Sequence, residues 1–147
     1  MWYDFGEGYR GLSESRQLLR EWLQPLAAST GIPLSRTILA GFSQGAAMAL
    51  DVGLSLPVAG LVALSGYLHP RAASPEQSFP PVLIIHGRRD QVVPLRAAQE
   101  ARDGLITAGA SVQYHELDMG HEIQPAVLAL IRDFVLAVST PSADQIR

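Results

Sequence analysis

Cysteine is absent from the 147-residue chain. Its absence excludes disulfides, Cys-ligated zinc, iron–sulfur clusters and a cysteine nucleophile. Charge is scarce too, at 17% of residues: eleven Lys+Arg stand against fourteen Asp+Glu, a net charge of −3. The densest basic spot is Arg88-Arg89, so a nucleic-acid or anionic-membrane partner has little to bind. No apolar run approaches the ~18 residues that a membrane span needs. The opening Met1-Trp2-Tyr3-Asp4-Phe5-Gly6 has neither the basic head nor the apolar run of a secretory signal. A cytoplasmic protein is expected. Repeats and low-complexity segments are also missing. The 48% of apolar residues suits one packed domain over residues 1–147.

Hydrophobic periodicity sets the expected element order. From Leu12 to Ala28, the residues Leu18, Leu19, Trp22, Leu23 and Leu26 form one helical face, which Pro25 kinks or ends. The run Thr37–Phe42 reads as a strand buried on both faces. A helix is expected from Ser43 to about Leu56, strands at Val58–Leu64 and Val82–His86, and a helix over about Leu95–Ala108. A strand at Ser111–Leu117 and a helix at Glu122–Val138 follow, with Pro125 in the last helix's first turn. Strands alternating with helices imply an α/β fold: a parallel sheet of about four strands with helices on both faces. The linker Ser65–Pro80, with prolines at 70, 75 and 80, is irregular and sits where binding sites often lie. Within it Tyr67 and Leu68 are candidate substrate-binding residues. Local packing is the competing reading for Leu68.

Gly41-Phe42-Ser43-Gln44-Gly45 fits G-x-S-x-G, placed after a strand and before a helix. That turn needs small residues two before and two after the serine. It lifts the serine oxygen above the sheet, with the Gln44 N–H free to donate to an oxyanion. A Gly-flanked N-cap serine is the bland alternative. A serine nucleophile needs a base and an acid, in the chain order Ser, Asp/Glu, His. Asp90 follows the third strand in His86-Gly87-Arg88-Arg89-Asp90-Gln91-Val92-Val93-Pro94. His121 follows the fourth, in Met119-Gly120-His121-Glu122. Asp118 is a rival acid, but it shares His121's own connection. His86 precedes the acid and is read as packing or hydrogen-bonding at its strand end. His115 lies within a strand, and His69 lies in the linker.

The strings Ala40-Gly41-Phe42-Ser43-Gln44-Gly45-Ala46, Leu64-Ser65-Gly66-Tyr67, His86-Gly87 through Asp90 to Val93-Pro94, and Met119-Gly120-His121-Glu122 resemble the phospholipase/carboxylesterase family of α/β-hydrolases. That family includes bacterial carboxylesterases and acyl-protein thioesterases. Trp2-Tyr3-Asp4 resembles the aromatic segment before the family's first long helix. The similarity covers Trp2 to about Val138. It implies a Ser43, Asp90, His121 triad, no metal or cofactor, and short-chain ester, lysophospholipid or thioester substrates. It also implies further strands and a His-Gly-rich loop ahead of the Trp-Tyr-Asp segment, so the chain reads as N-terminally truncated. Gln44 is then the one nameable oxyanion donor, and the Thr37–Gly41 strand becomes an apolar edge open to homo-oligomer formation. A catalytically impaired remnant acting as a binding module is the alternative to a serine esterase or thioesterase.

Overall fold

A computed structural model describes residues 1–4, 9–70 and 78–140. Helix α1 (Leu12–Leu23) and the short α2 (Leu26–Thr30) precede β1 (Ile38–Phe42), α3 (Gln44–Gly53) and β2 (Gly60–Leu64). Then come β3 (Val82–Gly87), α4 (Leu95–Thr107), β4 (Val112–Leu117) and α5 (Pro125–Ser139). A single 3₁₀ turn at Leu34–Arg36 leads into β1. The four strands form one parallel sheet in sequential order, β1-β2-β3-β4.

Alternation along the two inner strands divides the core. Leu61, Ala63, Val82 and Ile84 face one way and pack with Leu50 of α3 and Ala98, Ala101 and Leu105 of α4. Val62, Leu64, Leu83 and Ile85 face the other way and pack with Val127 and Phe134 of α5. The result is helix, sheet, helix: the crossovers through α3 and α4 share one face, as their common handedness dictates, and α5 covers the other. Helix α1 adds an outer layer by packing Leu12, Leu19 and Leu23 against Met48 and Val52 of α3.

Several expectations are corrected. Pro25 splits the first helix in two: α1 stops at Leu23, and Pro25 becomes the residue before α2. The last helix begins at Pro125 rather than Glu122, because Gln124 is extended and proline serves as the first helical residue. The buried face of α1 is Leu12, Ser15, Leu19 and Leu23, while Leu18 and Trp22 are exposed. β1 is not buried on both faces: its residues are half-buried or exposed, whereas β2 and β3 are buried throughout. Among the described residues β1 pairs only with β2, so one edge and its flanks stay open. Leu18, Leu19, Trp22, Leu23 and Leu26 face Ile38–Ala40 across an apolar groove of about 700 Å³. No helix of the described residues is long and apolar enough to cross a membrane.

Phe134 seals the α5 side. It is 2% exposed, and its ring leaves no room for a side chain at Gly60, where a Cβ would come within 2.8 Å. Phe134→Ala is expected to lower the unfolding free energy by about 3–5 kcal/mol. Urea unfolding checks this as a fall in midpoint with unchanged slope.

Candidate active site

All strands are parallel, so the segments leaving β1, β3 and β4 meet at one end of the sheet. Ser43 leaves β1 with φ 56° and ψ −122°, a conformation that costs a non-glycine residue about 1–3 kcal/mol. The turn is held from several sides. Ser43 N–H donates to the Leu64 carbonyl of β2 at 2.8 Å, and the Ser43 carbonyl accepts from Ala46 N–H at 3.0 Å. A Cβ at Gly41 would lie 2.1 Å from the Gly45 carbonyl oxygen, so position 41 must be glycine. Helix α3 starts at Gln44, whose N–H, in the first turn, has no intrahelical acceptor.

Asp90 lies in the turn between β3 and α4. Its Oδ1 accepts from the N–H groups of Val92 (2.9 Å) and Val93 (2.8 Å), which fixes the carboxylate plane. Its Oδ2 accepts from His121 Nδ1–H at 2.8 Å. That bond leaves His121 Nε2 as the free ring nitrogen. The Asp90 side chain is fully buried and the His121 ring is 18% exposed. Burial alone would raise the Asp90 pKa. The His121 hydrogen bond and the Val93 and Val92 N–H groups outweigh it and hold the carboxyl below its ordinary value.

The His121 loop crosses close to β3 because Gly87 has no side chain: a Cβ there would lie 2.3 Å from the Met119 carbonyl oxygen. Arg89 N–H ties the two loops by donating to the Met119 carbonyl at 3.0 Å. The Phe42 ring then lies against the His121 ring, centroids 4.7 Å apart, which places the imidazole beside the serine turn. Ser43 Oγ is half-buried and makes no hydrogen bond to any described residue. Such contacts commonly tighten only with substrate bound.

The remaining candidates separate clearly. Asp118 is 75% exposed and pairs with Arg89 at 3.0 Å rather than with His121. His86 is fully buried, and its Nε2–H donates to the Val93 carbonyl at 2.8 Å, bracing the turn that holds Asp90. Leu68 packs into the α3/α4 core and lies against Gly104, which favours local packing over substrate contact. Tyr67 is half-buried, and its hydroxyl bonds that of Tyr3.

Two contributors lie outside the sequence expectations: Phe42 as the His121 ring's neighbour and the Gln44 side chain. His86 hydrogen-bonds at its strand end as expected, and its partner is the Val93 carbonyl. Gln44 Nε2 donates to the Tyr3 carbonyl at 2.8 Å, and its Oε1 accepts from the Trp2 N–H.

The chain belongs to the phospholipase/carboxylesterase family, whose pattern matches residues 9–139. It is 32% identical to acyl-protein thioesterase 1 homolog 1 of Dictyostelium discoideum over 91% of this chain and 66% of that protein. It is likewise 32% identical to acyl-protein thioesterase 1 of Neurospora crassa, over 88% of this chain and 56% of that protein. The chain thus spans between half and two thirds of the length of these relatives. Among solved structures it resembles esterase PE8, with a TM-score of 0.80 and 34% identity over 92% of this chain and 68% of that one. It also resembles SOBER1 of Arabidopsis thaliana, with a TM-score of 0.80 and 25% identity over 95% of this chain and 74% of that one.

The Asp90 shift has a consequence for stability. A carboxyl whose pKa is lower folded than unfolded stabilises the fold above its unfolded value, and the contribution vanishes as pH falls through the folded value. The stability gap between the wild type and Asp90→Asn is therefore expected to be full above the unfolded carboxyl value of about 3.9 and to shrink as pH falls below it through the lower folded value. Urea unfolding across that range measures it. A gap independent of pH would contradict the Asp90–His121 bond.

Proposed function

We propose that the chain is a serine hydrolase of carboxylic esters or thioesters, with Ser43 as nucleophile, His121 as general base and Asp90 as its orienting acid. The observation that carries this reading is the 2.8 Å bond from His121 Nδ1–H to the buried Asp90 carboxylate, with the imidazole beside the Ser43 turn. The family membership and the thioesterase and esterase relatives support the same chemistry. No comparable observation favours a purely binding role.

In this mechanism His121 Nε2 takes the Ser43 hydroxyl proton as Oγ attacks the substrate carbonyl carbon. The carbonyl π electrons move to oxygen, and the Gln44 N–H donates to that oxyanion. The tetrahedral intermediate collapses, the bond to the alcohol or thiol breaks, and His121 returns its proton to the leaving group. Water then attacks the acyl-serine by the same steps, releasing the acid and restoring Ser43. Asp90 stays ionised throughout and stabilises the imidazolium. Its two backbone N–H bonds keep the carboxylate from rotating away as charge develops. Tyr67, half-buried next to the Gly66 that abuts Ser43, is the substrate-side candidate on the linker.

A fluorophosphonate probe is expected to label Ser43 in the wild type and not in Ser43→Ala. Ser43→Ala should abolish turnover of a short p-nitrophenyl ester while its melting curve stays cooperative. Asp90→Asn should lower kcat by about 10⁴-fold, because the ring loses its imposed tautomer. Undiminished hydrolysis by Ser43→Ala would refute the nucleophile assignment.

A further inference from the structure

A second histidine–carboxylate constellation lies behind the serine turn. His69 is 1% exposed, and its Nδ1 faces Asp51 Oδ2 at 3.5 Å. Its Nε2 is 2.6 Å from the Tyr3 hydroxyl, which also bonds the Tyr67 hydroxyl. The rings of Tyr3, Tyr9 and Tyr67 stand edge-on around the imidazole at 5.2–5.4 Å. Arg16 of α1 closes the far side by pairing with Asp51 through both Nε and Nη2.

The polar contacts form a chain through Tyr3. Its hydroxyl bonds both the Tyr67 hydroxyl and His69 Nε2. On the other side of the ring, His69 Nδ1 lies within ion-pair range of Asp51 Oδ2, at 3.5 Å, and makes no hydrogen bond to any described residue. The Tyr67 hydroxyl is pushed up from its ordinary pKa, first by burial, so it stays protonated.

The ends of this chain are attached to the serine turn. Gln44 and Asp51 lie on the same helix, α3, two turns apart and therefore on one face. The Gln44 side chain grips the backbone of Trp2 and Tyr3, and the Tyr3 hydroxyl reaches His69. That makes a closed circuit: Gln44, Tyr3, His69, Asp51 and back through α3. Tyr67 is reached from the same node. The preceding Gly66 is pressed against the turn, where a Cβ would lie 2.4 Å from Ala46 Cβ and 3.1 Å from the Ser43 carbonyl oxygen. Ser65 beside it holds a left-handed φ of 49°.

We propose that His69 is a positioning residue. It clamps the Tyr3 segment and the Ser65–Tyr67 turn onto α3, and through them it holds Ser43 and the Gln44 N–H in their strained arrangement. This rests on the serine-hydrolase reading for its effect on turnover, but the clamp itself is a statement about the backbone. The groups facing His69 are Tyr3, Tyr9, Tyr67, Asp51 and, beyond the carboxylate, Arg16. None of them touches His121 or Asp90 through any described contact.

The test compares the full chain with His69→Phe, His69→Gln and Tyr67→Phe, using amide hydrogen exchange over residues 41–47 and 64–70 together with ester kinetics. His69→Phe removes both ring nitrogens. It is expected to speed exchange in both segments and to lower kcat by about 10- to 100-fold, with KM held within about twofold. His69→Gln keeps an acceptor for Tyr3 and a polar group facing Asp51, so it should recover most of the loss. Tyr67→Phe deletes a single hydroxyl from a half-buried side chain and should shift exchange in the same direction, which keeps the test open if His69→Phe does not fold. Wild-type exchange at residues 41–47 in a folded His69→Phe, or in Tyr67→Phe where that variant fails to fold, overturns the proposal. Fluorophosphonate labelling of the wild type decides the nucleophile reading separately. A chain that does not label would sink that reading, and the exchange data would still decide the clamp.

Discussion

The Asp90 carboxylate is the constraint on which the site depends. It is an anion with no side-chain exposure, held by three donors: two backbone N–H groups on Oδ1 and one imidazole N–H on Oδ2. A buried carboxylate left without such partners would take up a proton or pull the turn open. The donors come from two separate requirements. The Val92 and Val93 N–H groups converge because the chain must turn before α4. Val93 is itself anchored, its side chain buried and its carbonyl accepting from His86. His121 arrives because the β4–α5 connection passes over Gly87. Stability and the proposed chemistry therefore use the same three bonds.

Close backbone approach is the second organising feature. Gly41 admits the Gly45 carbonyl, Gly66 admits Ala46 and the Ser43 carbonyl, and Gly87 admits the Met119 and Gly120 carbonyls. All three lie at the carboxyl ends of β1, β2 and β3. In a parallel sheet those ends share one edge, so the three tight contacts draw the Ser43 turn, the Tyr67 turn and the His121 loop into one small region. A side chain at any of the three would push a whole loop aside rather than one rotamer.

The legible parts of the sequence were local. G-x-S-x-G, the Asp90 turn and Gly120-His121 each carry their signal within five residues of chain, and the alternation of strands and helices follows from periodicity. What stayed hidden needed distant partners. Gln44 reaches Trp2 and Tyr3 from more than forty positions away, and His69 reaches Asp51 and Tyr3 with no motif to announce it. The periodicity of β1 resembled that of β2 and β3, because an apolar pattern records what a strand could bury and not which neighbours it has. The same holds for α1, where Leu18 and Trp22 share the apolar pattern of Leu19 and Leu23 but face the groove beside β1.

That groove bears on how the serine turn is held. Ser43 sits at the end of β1, whose Ala40 and Phe42 are exposed and which, among the described residues, is paired on one side only. Among the described residues β1 has one ladder of hydrogen bonds, through Ile38 to Phe42 against Gly60 to Leu64. Further restraint on the turn comes from above and behind. It comes from Ser43 N–H on the Leu64 carbonyl, Gly66 against Ser43, and the Gln44 grip on the Tyr3 segment. The first two tie the turn to β2, and the third ties it to the Tyr3–His69–Asp51 clamp. A strained serine conformation of about 1–3 kcal/mol persists only where such contacts over-determine it, and here they come from backbone groups of β2 and the turn after it and from the Gln44 side chain inside the motif.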